Sequence, residues 1–528
     1  MKETSETNVY DESPYPSRPY SQTHPRHLAT IATLFGIQPK LVSDCRVLEI
    51  GCSDGSNLIP MACEFPNSQF VGVDLSSRQI KNAKQTVETL KLKNIDLRYC
   101  NILDVDDSFG KYDYIIAHGI YSWVPDDVQK HLLKLCKHRL NNQGIAYISY
   151  NTYPGWKMRG LLRDMMLYHA NNFEDTPSKI TQAKALINFL SETVPVENNA
   201  YGTLLRNELK NMKNWDDNYF LHESLEEVND PVYFYQFIEK AKQQGLQYLA
   251  ESEVHNMITG NFDARVKETL DKIGTNIIQR EQYMDFIRNR MFRQTLLCHD
   301  DISLTRGIDV ENISSMNMSS NCEAVTKDPD LTSNAEVEFK VNNLHFSSEC
   351  PYTKCTVNYL GSIWPEYISF QDILEKVGTF IDNNLQTKAE RNEDINDVDL
   401  FATKIFNLYA KNIIDLSLYP PTVTKTISKN PVIGPIACLQ AQTQDWTTNQ
   451  LHQVVDVDVI SKHLLPLLDG QHDDKKIRKH LLKLIQNGTL QLQLDGVLLE
   501  DNDEIMDNLD EYIKTYLNKV SKSALLEN

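Results

Sequence analysis

Short apolar segments alternate with amphipathic ones between residues 46 and 151, and this alternation limits the possible folds more than any other feature of the chain. The apolar segments predict five strands, at 46–50, 69–73, 96–99, 112–117 and 145–150. Helical periodicity falls between them, at 57–64, 77–92 and 126–140. Strands and helices that alternate in this order build a parallel sheet covered by helices on both faces. We therefore predict a doubly wound α/β domain.

The rest of the 528-residue chain needs further domains, because a single hydrophobic core does not grow to this size. Long helical patterns follow at 157–170, 176–193, 202–213 and 232–244, and again at 266–298 and 369–416. Residues 245–251 predict a strand that returns to the first sheet, whereas 300–350, rich in Ser, Asn and Asp, predict loops and short strands. After a linker that begins at Pro420, residues 432–528 alternate helices with short strands.

The turn after the first strand predicts a nucleotide site, since a strand, a glycine turn and a helix expose backbone N–H groups at the helix N-terminus. Gly51 and Gly55 permit this tight turn. A dinucleotide fingerprint would need glycine where Ser53 and Ser56 stand. Asp54 would repel a pyrophosphate but can pair with an ammonium group. S-adenosylmethionine, which has an amino-acid end and no phosphate, therefore fits this loop better than a nicotinamide dinucleotide.

Further candidates stand at the ends of the next strands. Asp74 can accept both ribose hydroxyls, or can cap the following helix. Asn101 can bind the adenine edge while Ile102 packs on the ring, and the alternative for Asn101 is a polar turn residue. His118 follows the fourth strand. The predicted cofactor-binding residues are Tyr15, Tyr20, Gly51, Cys52, Ser53, Asp54, Asn57, Asp74, Leu75, Asn101, Ile102 and His118.

These motifs resemble class I S-adenosylmethionine-dependent methyltransferases over residues 46–151. The E-x-G-x-x-x-G loop (Glu49, Gly51, Gly55) and the acid Asp74 match the family pattern, and Ser53 departs from its usual mid-loop glycine. A wider resemblance, to methyltransferases with a methyltransferase regulatory domain, rests on five segments: 10–16, 22–25, 151–156, 292–298 and 465–470. Within that group the chain is most similar to bacterial protein lysine methyltransferases that modify outer membrane protein B.

The resemblance implies a domain order and a reaction. It implies an arm and helix over the cofactor site, a Rossmann-like cofactor domain, a helical dimerisation insert with return strands of the core sheet, an α+β middle or regulatory domain, and a winged-helix-like C-terminal domain. The corresponding ranges are 1–45, 46–156, 157–260, 261–425 and 426–528. It also implies a homodimer that uses S-adenosylmethionine, releases S-adenosylhomocysteine and methylates lysine side chains of a protein.

A lysine acceptor must be neutral to react, and an aromatic, partly dry channel beside a sulfonium favours that form. Candidates for this channel follow the fourth and fifth strands, with Tyr15 and Tyr20 added by a proline-rich arm at 9–27 that we expect to fold over the cofactor. The predicted catalytic residues are His118, Tyr121, Asn151, Tyr153 and Trp156. We expect Tyr121 and Tyr153 to face the amine, with His118 as a general base or a cofactor contact.

Composition and charge indicate which classes of partner the chain can bind. A net charge of −19 disfavours nucleic acid and favours a basic protein or peptide. The N-terminus does not read as a signal peptide and no apolar run is long enough to span a membrane, so we expect a cytoplasmic protein without membrane insertion. The ten cysteines read as buried thiols, and no metal is expected.

Two alternatives stay open at this stage. A small-molecule methyltransferase would share the same core domain, although the long additional domains favour a macromolecular substrate. A regulatory protein that binds S-adenosylmethionine without catalysis would fit the winged-helix-like tail. Turnover on a panel of proteins and metabolites separates the three readings.

Overall fold

The computed structural model describes residues 13–307, 309–384, 397–490, 493–494, 497–498 and 502–527. The chain forms two compact units. The first comprises the N-terminal residues up to Arg18, Gln38–Leu58 and Asn67–Ser303, and the second comprises Pro19–Ile37, Ile59–Pro66 and the residues from Leu304 onward.

The described helices, in chain order, are α1 (Pro25–Leu34), α2 (Leu58–Glu64), α3 (Ser77–Leu90), α4 (Asp126–Arg139), α5 (Trp156–Ala170), α6 (Thr176–Thr193), α7 (Ala200–Met212), α8 (Asp217–Leu225), α9 (Phe234–Gln243), α10 (Ala264–Ile273), α11 (Ile277–Arg288), α12 (Val310–Ser314), α13 (Pro351–Ile363), α14 (Phe370–Asn384), α15 (Val398–Tyr409), α16 (Pro435–Thr443), α17 (Val459–Leu464), α18 (Asp474–Gln486) and α19 (Asn502–Lys522). Among the described residues, no helix is both long enough and apolar enough to cross a membrane.

A seven-stranded sheet forms the centre of the first unit. Its strands are β1 (Arg46–Ile50), β2 (Gln69–Asp74), β3 (Ile95–Tyr99), β4 (Tyr112–Ala117), β5 (Leu140–Asn151), β6 (Leu246–Glu251) and β7 (Phe292–His299). They are arranged in the order β3-β2-β1-β4-β5-β7-β6. The first five strands are parallel, and β7 runs antiparallel to both β5 and β6. The predicted doubly wound sheet and its return strand are confirmed.

The prediction of helix over 266–298 is wrong for its last part, because residues 292–298 belong to strand β7. This strand is buried on both faces between β5 and β6, so its apolar residues form a run rather than an alternation. Such a run cannot be distinguished from a buried helix by periodicity. Residues 264–299, which the predicted middle domain would contain, therefore include a strand of the central sheet. The domain limits themselves stay a prediction.

Four helices, α5 to α8, pack on one another and form a small apolar core of their own. Leu162, Ile187, Leu205 and Phe220 are buried there. Each such side chain contributes about 1.5–3 kcal/mol by leaving water. This insert separates β5 from α9 and β6 along the chain, and it corresponds to the helical part of the predicted 157–260 segment.

The second unit combines small sheets with helices. The remaining described strands are β8 (Asn317–Ser319), β9 (Glu323–Ala324), β10 (Val337–Val341), β11 (Leu344–Ser348), β12 (Ile368–Ser369), β13 (Asp415–Ser417), β14 (Trp446–Thr448), β15 (Val454–Asp456), β16 (Gln493–Leu494) and β17 (Val497–Leu498). The predicted loops and short strands at 300–350 also contain the short helix α12, and the predicted helical segment 369–416 ends in β13. Helices α16 to α19 share one apolar core.

Candidate functional site

The turn between β1 and α2 has the backbone geometry that its glycines predict. Gly51, Ser53 and Gly55 have φ values of 74°, 50° and 77°. The Gly51 and Cys52 N–H groups donate to the Val73 carbonyl at the end of β2, at 2.8 and 3.1 Å. A Cβ atom on Gly51 would lie 2.2 Å from Ile120 Cδ1, and the positive φ would strain any residue with a side chain at this position. The turn is therefore fixed to two neighbouring strands with its backbone at the edge of the sheet.

Asp74, at the end of β2, is tied to this turn. One carboxylate oxygen accepts the Ser53 N–H at 2.8 Å and the other accepts the Ser76 N–H at 2.8 Å. The cap of α3 is Ser76, whose hydroxyl accepts the Gln79 N–H. Of the two roles considered for Asp74, helix capping is thus filled by another residue. Because each carboxylate oxygen can accept more than one hydrogen bond, Asp74 can still receive the hydroxyls of a sugar.

Glu49 lies beneath the turn, and its side chain is buried. Asn57 donates an amide N–H to Glu49 Oε1 at 2.7 Å, whereas Oε2 has no hydrogen-bonding partner in the described part of the chain. Burial raises the pKa of Glu49 to about 8. Glu49 belongs to the motif but not to the predicted cofactor-binding residues; the signal that could have included it is a charged residue between the apolar residues Leu48 and Ile50.

The other predicted cofactor-binding residues have varied surroundings. Cys52 is buried, and its sulfur would clash with any Cβ atom on Gly72, so its side chain faces the sheet. Asp54 accepts hydrogen bonds from Ser56 within the turn. Asn101 accepts the Leu103 N–H and caps a short 3-10 turn. Ile102 is buried in the core, and Leu75 is 48% exposed.

His118 stands one residue beyond β4, and its ring is held by Tyr147. Its Nδ1 lies 2.9 Å from the Tyr147 hydroxyl, and the two rings stack at 5.8 Å. Burial lowers the pKa of His118 to about 4. The imidazole is therefore neutral at physiological pH and holds a proton too weakly to draw one from an ammonium group. Next to it, Gly119 has open space beside its Cα atom, where a ligand can approach the backbone.

Some of the aromatic residues that follow β4 and β5 are buried in the core, and another is only partly buried. Tyr121 is fully buried, its ring lies edge-on to Phe237 at 5.0 Å, and its hydroxyl has no partner among the described residues. Trp156 is also buried and packs against Trp123 at 6.3 Å. Tyr153 is only partly buried, and the Nζ atom of Lys157 lies 4.1 Å from its ring centroid.

Asn151, the last residue of β5, is buried, and its amide Nδ2 has no hydrogen-bonding partner in the described residues. A buried amide without a partner is costly, and a bound ligand can supply the missing acceptor. Of the five predicted catalytic residues, Asn151 and Tyr153 thus present groups that a ligand can use, whereas the rings of Tyr121 and Trp156 are packed in the interior.

The described start of the arm contacts the helical insert. The Ser13 carbonyl accepts a hydrogen bond from His222 Nε2 at 2.6 Å. The Tyr15 ring lies 5.7 Å from the His222 ring and 5.9 Å from that of Tyr219. Tyr20 belongs to the second unit, where its carbonyl accepts two hydrogen bonds from Thr23. Residues 9–12 of the predicted arm lie outside the described residues, and its closure over the cofactor stays a prediction.

These groups fit the predicted cofactor. Asp74 suits a ribose diol, and the Asp54 carboxylate suits a cationic amino-acid end. The unpartnered Oε2 of Glu49 can take a further hydrogen bond from a ligand. The missing glycines and the two acids make the turn unsuitable for a pyrophosphate.

Comparison with protein families assigns three parts of the chain. Residues 41–212 match a methyltransferase domain. Residues 216–299 match a predicted methyltransferase regulatory domain, and residues 429–525 match the C-terminal winged-helix domain of PKMT proteins. The predicted winged-helix-like fold at the C-terminus is thereby confirmed. The regulatory-domain match includes β6 and β7, so this region contributes two strands to the central sheet.

Similar proteins cover nearly the whole chain. The chain is 37% identical to protein RP789 of Rickettsia prowazekii, over 98% of this chain and 94% of that protein. It is 43% identical to RP028 of the same organism, over 47% of this chain and 99% of RP028. PKMT2 from Rickettsia typhi, solved in complex with AdoHcy, superposes with a TM-score of 0.87 at 32% identity, over 97% of this chain and 100% of PKMT2.

Proposed function

Since this chain belongs to the PKMT family of class I S-adenosylmethionine-dependent methyltransferases, we propose that it methylates lysine side chains of a protein, specifically a bacterial outer-membrane or surface protein. The observation that carries the proposal is the extent of the match to PKMT2, which includes the middle and C-terminal regions as well as the cofactor domain. Domains beyond the core suit a macromolecular acceptor, because a metabolite needs only a pocket. A cytoplasmic enzyme of this kind would act before its substrate is exported.

The glycine turn and Asp74 would hold the cofactor, which supplies an electrophilic methyl group. In this proposal Asp74 binds the ribose, while Glu49 and Asp54 face the amino-acid end. Asn101 and Ile102 line the adenine, and the Gly51 to Asn57 turn approaches through its backbone. Leu75, Tyr15 and Tyr20 complete the predicted set of contacts.

The acceptor amine is the harder part of the reaction. At an unperturbed pKa of about 10.4, only about one lysine in a thousand is neutral at pH 7.4, which costs roughly 4 kcal/mol. The half-buried Tyr153 offers a partly dry place for this amine at the end of β5. The unpartnered Asn151 amide N–H can donate to an acceptor atom elsewhere on the substrate. His118 acts here by shaping the site rather than as a base, since its pKa is about 4.

The test is a transfer assay with radiolabelled S-adenosylmethionine on three kinds of acceptor: a recombinant fragment of rickettsial outer membrane protein B, an unrelated lysine-rich protein, and a panel of small amines and carboxylates. Mass spectrometry of the products counts methyl groups on each lysine. We expect label on lysine side chains of the surface-protein fragment. Label confined to a small molecule, or cofactor binding without any transfer, would contradict the proposal.

We also propose that the enzyme is a homodimer formed through the helical insert. On α5, Met158, Leu161 and Tyr168 are exposed along one face, and on α6 Phe189 is 60% exposed. An exposed apolar face of this kind is typical of a protein–protein contact. Sedimentation equilibrium should give twice the chain mass for the parent and a lower average mass for Tyr168→Glu, and a monomeric parent would contradict this part.

A further inference from the structure

The segment that precedes α9 is hydrogen-bonded to the loop after β4 and to the end of β5. The Asp230 N–H donates to the Ser122 carbonyl at 2.7 Å, and the Ser122 hydroxyl accepts the Asn151 N–H at 2.9 Å. The Val232 N–H donates to the Asn151 carbonyl at 3.2 Å, and the Val232 carbonyl accepts the Tyr153 N–H at 3.2 Å. Residues 230–232, about 80 positions away in sequence, thus border the predicted acceptor site.

Asp230 places a carboxylate beside the two tyrosines that were predicted to face the amine. The Asp230 charge is, after burial, the next cause that raises the pKa values of both Tyr121 and Tyr153. The Asp230 side chain is exposed, and Gln129 Nε2 donates to its Oδ2 at 3.1 Å. Gln129 is itself held by Lys240 Nζ at 3.0 Å. The carboxylate is thereby oriented, and its oxygens can accept further hydrogen bonds from a ligand.

Several polar atoms on the residues that these hydrogen bonds connect, or on their neighbours in the chain, are buried and have no partner in the described residues. They are Asn151 Nδ2, the Tyr121 hydroxyl, and both Nδ2 and Oδ1 of Asn229, the residue before Asp230. Buried polar groups are rarely left unpaired. Of these atoms, the Tyr121 hydroxyl and Asn229 Oδ1 can accept a hydrogen bond from an ammonium group. Nearby, the Tyr153 ring already holds a primary ammonium, that of Lys157, at 4.1 Å. Tyr153 is thus an aromatic ring that binds an ammonium group in this structure.

We propose that Asp230 is the acceptor-binding carboxylate of the enzyme, and that it receives the substrate lysine beside Tyr153. The inference rests on the proposed function and names the residue that recognises its substrate class, a primary alkylammonium. The other charged groups around the two tyrosines are already paired or lie on other elements. Asp126 binds Lys130 and Lys240, Asp164 lies on α5, and Lys157, also on α5, contacts the Tyr153 ring.

The chemistry explains why a carboxylate belongs here. The lysine arrives as a cation, which Asp230 attracts, and loses a proton to solvent before it reacts. Its nitrogen lone pair then forms the N–C bond as the C–S bond breaks and that electron pair stays on sulfur. The positive charge reappears on nitrogen, beside Asp230, so the same carboxylate stabilises the charge that develops during transfer.

The experiment compares Asp230→Asn with Asp126→Asn, which removes the same charge from a carboxylate already bound by two lysines. Both are assayed on the outer membrane protein B fragment, with S-adenosylhomocysteine affinity as the check on folding. Asp230→Asn should raise KM for the fragment about tenfold and leave cofactor affinity unchanged, whereas Asp126→Asn should change neither by more than about twofold.

The dependence of kcat on pH distinguishes a role of Asp230 in recognising the amine from a purely structural role. An adjacent carboxylate favours the ammonium form, so its removal lowers the pKa of the bound amine. The rise of kcat with pH should therefore move to lower pH in Asp230→Asn. Gln129→Met, which removes the hydrogen bond but keeps the charge, should not show this shift. An unchanged KM and pH profile in Asp230→Asn would overturn the inference alone; absence of transfer by the parent would overturn the proposed function with it.

Discussion

Asp74 is the residue on which cofactor binding most depends, because it joins the glycine turn to the sugar site. Asp74→Ala should weaken S-adenosylhomocysteine binding by about 3 kcal/mol, or roughly a hundredfold, since two hydrogen bonds to a charged acceptor are lost. Isothermal titration calorimetry measures this directly. Ser56→Ala, which alters a hydroxyl bonded only within the turn, should bind nearly as the parent does. Equal affinities for Asp74→Ala and the parent would refute the assigned site.

Glu49 makes stability depend on pH. Its pKa is raised by burial to about 8 in the folded chain, above the ordinary value of 4.5, so the folded state holds a proton that the unfolded state releases. The sign of the linkage follows: this group lowers stability as pH rises from about 4.5 to 8. As pH rises from 5.5 to 8, the Tm of Glu49→Gln should therefore fall less than the Tm of the parent. Differential scanning calorimetry without cofactor measures both. Parallel Tm profiles for the two proteins would contradict this.

At the scale of elements, a buried charge cluster holds β6, β7 and α11 together. Arg293 is fully buried and lies 2.8 Å from Glu251, 3.0 Å from Glu281 and 2.8 Å from Asp285. Arg293→Met would remove one cation from three buried carboxylates and leave Arg290 to pair with Glu251 and Asp285, at a cost of about 3–5 kcal/mol. We expect a large fall in the urea midpoint of unfolding. Arg98→Met, which breaks an exposed pair with Asp96, is the control and should shift the midpoint little.

The central sheet and the cofactor turn could be predicted from sequence because both depend on local patterns. The strand–helix alternation and the glycines at 51 and 55 are encoded within a few residues of where they act. Strand β7 could not be predicted in this way: its apolar run, with Arg293 inside it, has the composition of a helix until its partners on β6 and α11 are known.

The acceptor part of the site also could not be predicted from local sequence patterns. Tyr121 and Tyr153 look alike in the sequence, yet one is covered by Phe237 and the other stays at the edge, because the packing of α9 decides between them. Asp230 had no motif to mark it. It reaches the site through a backbone hydrogen bond to Ser122 and a side-chain hydrogen bond from Gln129, both about a hundred residues earlier. Periodicity and spacing carry no information about contacts between distant parts of the chain.

For the molecule as a whole, net charge is the property that bears most on the choice of partner. A chain with a charge of −19 attracts basic acceptors over distances comparable to the Debye length and repels acidic ones. If the acceptor is a lysine-rich protein segment, this attraction adds to the local contact with Asp230 and raises the association rate more than it slows dissociation.

This attraction predicts that acceptor binding weakens as salt concentration rises, whereas cofactor binding does not. Raising NaCl from about 0.05 to 0.5 M shortens the Debye length from roughly 14 to 4 Å. KM for the basic acceptor fragment should then rise several-fold, whereas the dissociation constant of S-adenosylhomocysteine, which binds in a small partly buried site, should change by less than about twofold. Steady-state kinetics and calorimetry at the two salt concentrations give both numbers. A KM that does not respond to salt would mean that the acceptor is recognised through apolar contacts, and that the overall charge of the enzyme serves solubility alone.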